Sequence, residues 1–287
     1  MSADWISERG IALKDVKKVF GDEFESHLVV HDCSFQIEDG KFTVLIGPSG
    51  CGKTTLINLI AGYERLTAGR ITCDGKDIIG PSRDRLALFQ ETSLFPWMTV
   101  LKNVMYGPTV QGRVSGVERE AISLLARVGL QDFRDKYPNQ LSGGMQRRAE
   151  LARTLINKPR VLLMDEPFRG LDAMTRQLMQ EYLLGLFEGS RQTILFVTTE
   201  IDEAILLADN LILLSSAPAT IREQIHVDLP RPRSANIFES SRYVELKSHV
   251  LAVLYEEAIR SFASGSHAAA DMIEAFEIRR KAGRPDA

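Results

Sequence analysis

Two kinds of hydrophobic pattern alternate along the chain. Residues 11–20 and 28–37 are rich in Val, Ile and Phe and predict strands, with a turn over 21–27 between them. Short continuous apolar runs at 43–46, 161–164, 193–197 and 211–214 predict strands buried on both faces. Between these runs, residues 54–61 and 201–208 predict helices. So does 172–187, where Leu178, Tyr182, Leu183 and Leu186 recur at helical spacing. Strands alternating with helices imply an α/β fold, a mostly parallel sheet with helices on its faces. Residues 115–141 have a helical pattern and few strand formers, which predicts a helical insertion in that core. After Leu229 a Pro-Arg-Pro-Arg run marks a boundary. Helical pattern resumes over 240–262, and the tail 263–287 is rich in Ala, Gly, Ser and charge. Within that tail, 271–281 predicts a short amphipathic helix ending in basic residues, and no function is assigned to it.

Composition narrows the class. The chain has 287 residues and a net charge of −3, so no global basic field points to nucleic acid. Its three cysteines, Cys33, Cys51 and Cys73, are widely spaced and form no CxxC pair, which argues against a disulfide framework or a zinc site. The first ten residues have no basic region followed by an apolar run, so no signal peptide is expected. No stretch approaches the ~20 apolar residues of a membrane span, so any work at a membrane is expected to go through a partner.

The strongest chemical signal follows the strand at 43–46. Gly47-Pro48-Ser49-Gly50-Cys51-Gly52-Lys53-Thr54 fits the pattern G-x-x-x-x-G-K-[ST] and runs into a helix beginning with Thr54 and Thr55. Glycines let successive backbone N–H groups turn inward on a phosphate chain, and the helix adds its positive end. Lys53 has the reach for the β- and γ-phosphates of a nucleotide, and the Thr54 hydroxyl suits Mg²⁺. A second signal is the apolar strand 161–164 ending in Asp165-Glu166. Buried beside the phosphate-loop strand, it would put Asp165 near the metal and Glu166 where it polarises the attacking water. Two surface acids at a strand end are the alternative.

A second glycine-rich segment, Leu141-Ser142-Gly143-Gly144-Met145-Gln146, precedes a predicted helix over 147–156 and makes a second anion site. One nucleotide does not need two such loops from one chain, so the second is read as serving a nucleotide held by another subunit. With this segment the sequence resembles the ATP-binding subunits of ABC transporters over roughly residues 11–260. The resemblance implies a P-loop NTPase-type α/β fold with an N-terminal antiparallel β subdomain and a helical signature-motif subdomain. It divides the chain into an ATP-binding domain, 1–235, with its helical insertion at about 91–158, and a C-terminal extension, 236–287. It implies ATP and Mg²⁺ as ligands and ATP hydrolysis as the activity. Leu141–Met145 match the family signature, with Met145 where glutamine is usual. Gln90 matches a glutamine that senses Mg²⁺ and faces the membrane subunits, so the metal set is Thr54, Gln90 and Asp165. Phe20 matches an aromatic that stacks on adenine, a core Phe being the alternative. Asp172 matches an aspartate that communicates across a dimer.

The segments 94–104, Asp165-Glu-Pro-Phe and 229–233 resemble the nitrate, sulfonate and taurine importer ATPases. The partners implied are a second ATPase subunit, as a homodimer, and two transmembrane permease subunits. A periplasmic or extracellular solute-binding protein takes part indirectly. The expected location is the cytoplasmic face of the inner membrane, held through the permeases, with no nucleic-acid partner. Two departures stand out. The family has a histidine on the γ-phosphate after the strand 193–197, and this chain has Thr199; its hydroxyl is shorter and uncharged. The catalytic set is therefore Lys53, Gln90, Glu166 and Thr199, with hydrolysis expected to be slowed. The second departure is Arg169-Gly170, where small residues are common. Arg169 is either a solvated arginine or a source of the positive charge that the histidine would bring. Two alternatives remain: a soluble ABC-type ATPase of DNA repair or translation, and a weakened structural subunit paired with a different active ATPase.

Overall fold

The computed structural model describes residues 9–21, 25–89 and 93–265. Two sheets form. The first is four-stranded and antiparallel, ordered β2-β1-β4-β5, from β1 (Ile11–Gly21), β2 (Ser26–Ile37), β4 (Ala68–Cys73) and β5 (Lys76–Asp77). The second is six-stranded, ordered β10-β9-β3-β8-β7-β6. Its strands are β3 (Phe42–Ile46), β6 (Arg85–Leu88), β7 (Val161–Asp165), β8 (Thr193–Thr198), β9 (Asn210–Leu214) and β10 (Ile221–His226). All pairings in it are parallel except β9 with β10.

The period of two along a strand divides the interior into two cores. Val44, Ile46, Met164, Phe196 and Leu213 face one side. There they pack with α2 (Val100–Val110), α3 (Val117–Arg127), α4 (Gly143–Leu155), α5 (Ala173–Ser190), α6 (Ile201–Leu207) and the first half of α7 (Ser241–Gly265). Leu45, Leu163, Val197 and Ile212 face the other side, against α1 (Lys53–Ala61) and the four-stranded sheet. Burial on both faces is why β3, β7 and β8 are apolar at nearly every position rather than alternating.

The helical reading of 115–141 holds only to Arg127. Gly129 takes φ +68°, a conformation that ends the helix, and two 3-10 turns, Gln131–Phe133 and Pro138–Gln140, fill the rest. Leu178, one of the apolar residues at helical spacing in α5, is exposed, while Met179 and Leu183 are buried. β10 carries no apolar run: Ile221-Arg-Glu-Gln-Ile-His is an edge strand in which Arg222, Gln224 and His226 are exposed and Ile221, Glu223 and Ile225 half-buried. The Leu229–Arg233 stretch is stitched to the core. The buried Arg233 donates to the carbonyls of Val227 and Leu229 at 3.2 and 3.1 Å and to that of Ala208, and Arg231 pairs with Asp209 at 2.7 Å. Burial pushes the Arg233 guanidinium down to about 10.

Candidate functional site

The site lies at the carboxyl ends of the parallel strands. β3 ends at Ile46, opposite Thr198 of β8, and Asp165 of β7 stands opposite Val197. The phosphate loop, the acidic pair and Thr199 therefore follow three neighbouring strands. The acidic strand is not beside β3 as expected, because β8 lies between them. Asp165 nevertheless reaches the loop: the Thr54 hydroxyl donates to Asp165 Oδ2 at 2.6 Å. Burial pushes the Asp165 carboxyl above its ordinary range, opposed by the Thr54 hydrogen bond.

The loop has the backbone that its glycines allow. Gly52 takes φ +114°, and a Cβ there would lie 3.1 Å from the Val29 carbonyl oxygen. It caps α1 without a side-chain hydrogen bond, leaving the first N–H groups of the helix to whatever the loop holds. Gly47 is packed so closely that a Cβ would meet Leu214 Cβ at 3.0 Å. The Lys53 ammonium is buried and donates to the carbonyls of Gly47 and Pro48 at 2.9 and 2.8 Å, inside the cradle that its loop forms. Ser49 and Gly50 are exposed at the tip, and the Cys51 thiol is buried below it.

Glu166 has a backbone that its sequence did not announce. It takes φ +45°, and its N–H donates to the Val197 carbonyl at 2.9 Å. A non-glycine residue there costs on the order of 1–3 kcal/mol, and such residues cluster at functional sites. The strain turns the chain sharply after β7 and aims the carboxylate at a cavity of about 170 Å³. Ser49 of the loop, Glu166, Arg169, Arg176, Thr199 and Glu200 line that cavity. One Glu166 oxygen accepts from Arg169 Nη1 at 3.0 Å.

A phosphate cradle, a buried carboxylate on the threonine that ends it and a strained glutamate beside them form a nucleotide-hydrolysing arrangement, and the comparisons agree. An uncharacterized ABC transporter ATP-binding protein of Methanocaldococcus jannaschii is 40% identical over 88% of this chain and 93% of its own length. The chain belongs to the ABC transporter family. The family profile, described as ABC transporter, matches residues 30–169. The nitrate import ATP-binding protein NrtD of Synechocystis is 42% identical over 77% of this chain and 83% of its own. An aliphatic sulfonates import ATP-binding protein of Bacillus cereus is 40% identical over 84% of this chain and 94% of its own. Among solved structures, the dimeric bacterial ABC transporter cassette MJ0796 matches with a TM-score of 0.70 at 29% identity, covering 77% of this chain and all of that one. The same cassette in a post-hydrolysis state with ADP and Pi matches at 0.69 and 27%, again covering 77% and all of that chain. The fold is thus that of an ABC ATPase cassette.

Other ABC positions behave as follows. The signature does not precede α4 but opens it. Ser142 is the N-cap, its hydroxyl accepting from Met145 N at 3.3 Å, and Gly143, Gly144, Met145 and Gln146 form the first turn. Leu141 is buried beneath, and none of residues 141–145 is among the residues lining the Glu166 cavity. Asp172 caps α5, accepting from Thr175 N at 3.0 Å, and that hydrogen bond draws its carboxyl below the ordinary range. Phe20 is not a core residue: it is 37% exposed at the end of β1, with the Lys18 ammonium 4.3 Å from its ring centre. Gln90 lies outside the described residues.

Sequence reasoning missed Arg147, in the second turn of the signature helix. Its buried guanidinium donates to the carbonyls of Pro167 at 2.8 Å, Asp165 at 3.3 Å and Glu166 at 3.4 Å, and to that of Phe89. Glu150, one turn on, pairs with it at 3.0 Å and accepts from the Ser93 N–H and hydroxyl at 2.5 and 2.6 Å. This pair ties α4 to the end of β7 and to both flanks of residues 90–92. The only sequence signal was two charges three apart on a helix that also needs a buried face.

Proposed function

We propose that this ABC ATPase powers an importer for a small anion or organic solute. The observation that carries the catalytic part is the convergence of Lys53, the Thr54–Asp165 contact and Glu166 at adjoining strand ends. ATP entering the loop takes the Lys53 ammonium from the Gly47 and Pro48 carbonyls onto its β- and γ-phosphates. Water attacks Pγ, the bond from Pγ to the β,γ-bridging oxygen breaks, ADP leaves with that electron pair, and Glu166 accepts the water proton. Phe20, with one ring face already under a cation, stacks on adenine.

Mg²⁺ fits this site. A hydroxyl and a carboxylate oxygen 2.6 Å apart are hard donors of the kind it takes, and Asp165 is otherwise an acid that burial disfavours as an anion. Thr54 and Asp165 would hold it, with Gln90 as a further ligand. Held there, Mg²⁺ would supply charge neutralisation for phosphoryl transfer.

The signature turn serves a second chain's nucleotide. Two chains then enclose two ATP molecules, each between one loop and the partner's Ser142–Gly144. Support comes from the exposed N-terminus of α4 and from the dimeric cassette that this fold matches. The importer assignment, with two permease subunits, a solute-binding protein and a place on the cytoplasmic membrane face, is supported by the names of the relatives. Among the described residues no helix is long and apolar enough to cross a membrane, which suits a subunit carried by permeases. The exposed Trp97, with Phe95 and Tyr106 packed behind it, offers those permeases an apolar contact.

Affinity purification of the tagged chain from native membranes tests the assignment. It should bring down one kind of ATPase chain and a permease pair, and ATPase activity should rise with a loaded solute-binding protein. A different ATPase chain in equal amount would favour the weakened-subunit reading that Thr199 raises. Recovery without any membrane protein would remove the importer reading.

A further inference from the structure

Arg169 stands three residues after Glu166 on a turn that cannot easily move. Its own N–H donates to the Glu166 carbonyl at 3.1 Å. Between them, Pro167 has a fixed φ and a carbonyl held by Arg147, and Phe168 is buried against Phe196 with ring centres 5.6 Å apart. The backbone is pinned while the side chain is free: 64% of the Arg169 side chain is exposed. Its guanidinium reaches the cavity wall shared with Ser49 of the phosphate loop, and its ion pair is with Glu166.

The other charged groups that line the cavity already have partners, Arg176 and Glu200 each other among them. Arg176 lies 3.4 Å from the Leu171 carbonyl and 3.8 Å from Glu200. Glu203 is buried and bonded to Gln180 at 2.8 Å. Lys53 is not among the residues lining this cavity and meets the phosphates from inside its own loop. Of the two cations that line the cavity, Arg169 is therefore the more exposed and the better placed to change partners when a triphosphate arrives. A terminal phosphate carries more charge and more acceptor oxygens than one carboxylate, and guanidinium matches it bidentately.

We propose that Arg169 is a second catalytic group of this ATPase. It occupies the Glu166 carboxylate in the nucleotide-free protein and exchanges it for the γ-phosphate of bound ATP. The exchange does two things at once: it frees Glu166 to accept the water proton, and it places a positive charge where the phosphoryl oxygens gather charge during transfer. Hydrolysis thereby waits for a terminal phosphate, since ADP has no group that draws Arg169 away. The proposal rests on the reading of Glu166 as the base.

The test is single-turnover ATP hydrolysis by the full-length protein, with ADP affinity measured alongside. Arg169→Ala should slow the chemical step about 10²-fold, the range for losing one positioned donor. ADP affinity should not change. Arg169→Lys should recover part of the rate, and millimolar guanidinium ion should recover part of it in Arg169→Ala but none in Glu166→Gln. A wild-type or faster rate in Arg169→Ala overturns the proposal. So does a slowed rate with an equal loss of ADP affinity, which would mark a structural role. If Glu166→Gln itself hydrolyses ATP at the wild-type rate, the underlying assignment of the base has failed instead.

Discussion

Glu150 is 1% exposed and lines neither the phosphate loop nor the Glu166 cavity, yet it should be among the most sensitive positions in the protein. Replacing it with alanine leaves the Arg147 guanidinium, 6% exposed, without its counter-charge. It also removes the acceptor of the Ser93 N–H and hydroxyl. Removing one partner of a buried ion pair costs about 3–5 kcal/mol, because the surviving charge stays buried and unpaired. At roughly 2–4 °C per kcal/mol for a chain of this size class, the thermal midpoint of Glu150→Ala should fall by roughly 6–20 °C. Arg147→Gln leaves Glu150 with Arg153 at 3.7 Å and the two Ser93 donors, and keeps donors for some of the four carbonyls, so it should cost less. The double variant should be more stable than the sum of the two losses predicts, by about 1–3 kcal/mol, the usual range for contacting residues. Differential scanning calorimetry of the parent, both single variants and the double variant closes the cycle. A Glu150→Ala midpoint within a degree of the parent would refute the claim that this pair is a buried, mutually dependent unit. Additive losses would refute it equally.

Other consequences are read more simply. Burial holds the Asp165 carboxyl above its usual range, so its charged form costs folding stability at neutral pH. Asp165→Asn should raise the melting point of the nucleotide-free protein, and that gain should shrink as pH falls through the raised value towards about 4; magnesium-dependent ATP binding should be lost, as read by fluorescent-nucleotide titration. Burial pushes the Cys33 thiol up to about 12 and raises that of Cys51, so neither should be alkylated in the native state. Mass spectrometry after brief maleimide treatment should find label on the half-exposed Cys73 alone, and rapid labelling of Cys51 would contradict the packed loop. Thr199→His, which adds a longer and protonatable donor to the Glu166 cavity, should raise kcat severalfold; an unchanged kcat would mean that Thr199 does not limit the reaction.

What could be read from the chain was what chemistry forces into consecutive residues. A phosphate cradle needs its glycines, lysine and threonine in one short run, so 47–54 was legible at once. The strands β3, β7 and β8 were legible because burial on both faces leaves them apolar throughout. The insertion of β8 between β3 and β7 was not, because strand order is set by crossovers that leave no local mark. Nor was the left-handed backbone at Glu166, since nothing in Asp-Glu-Pro requires it. The roles of Arg147 and Glu150 left no mark in the predicted helix over 147–156, because their partners are carbonyls and an N–H from three distant segments. β10 was missed because an edge strand is permitted the polar residues by which strands are usually excluded.

Glu166 is assigned the hydrolytic proton transfer on an ATP held by the Gly47–Thr54 loop. Glu166→Gln preserves size and hydrogen bonding but removes the base. In single-turnover experiments with radiolabelled ATP, the variant should bind ATP as tightly as the parent and release phosphate at least 10²-fold more slowly, the lower range for losing a general base. Phosphate release at the parent rate, with ATP bound normally, would contradict the account.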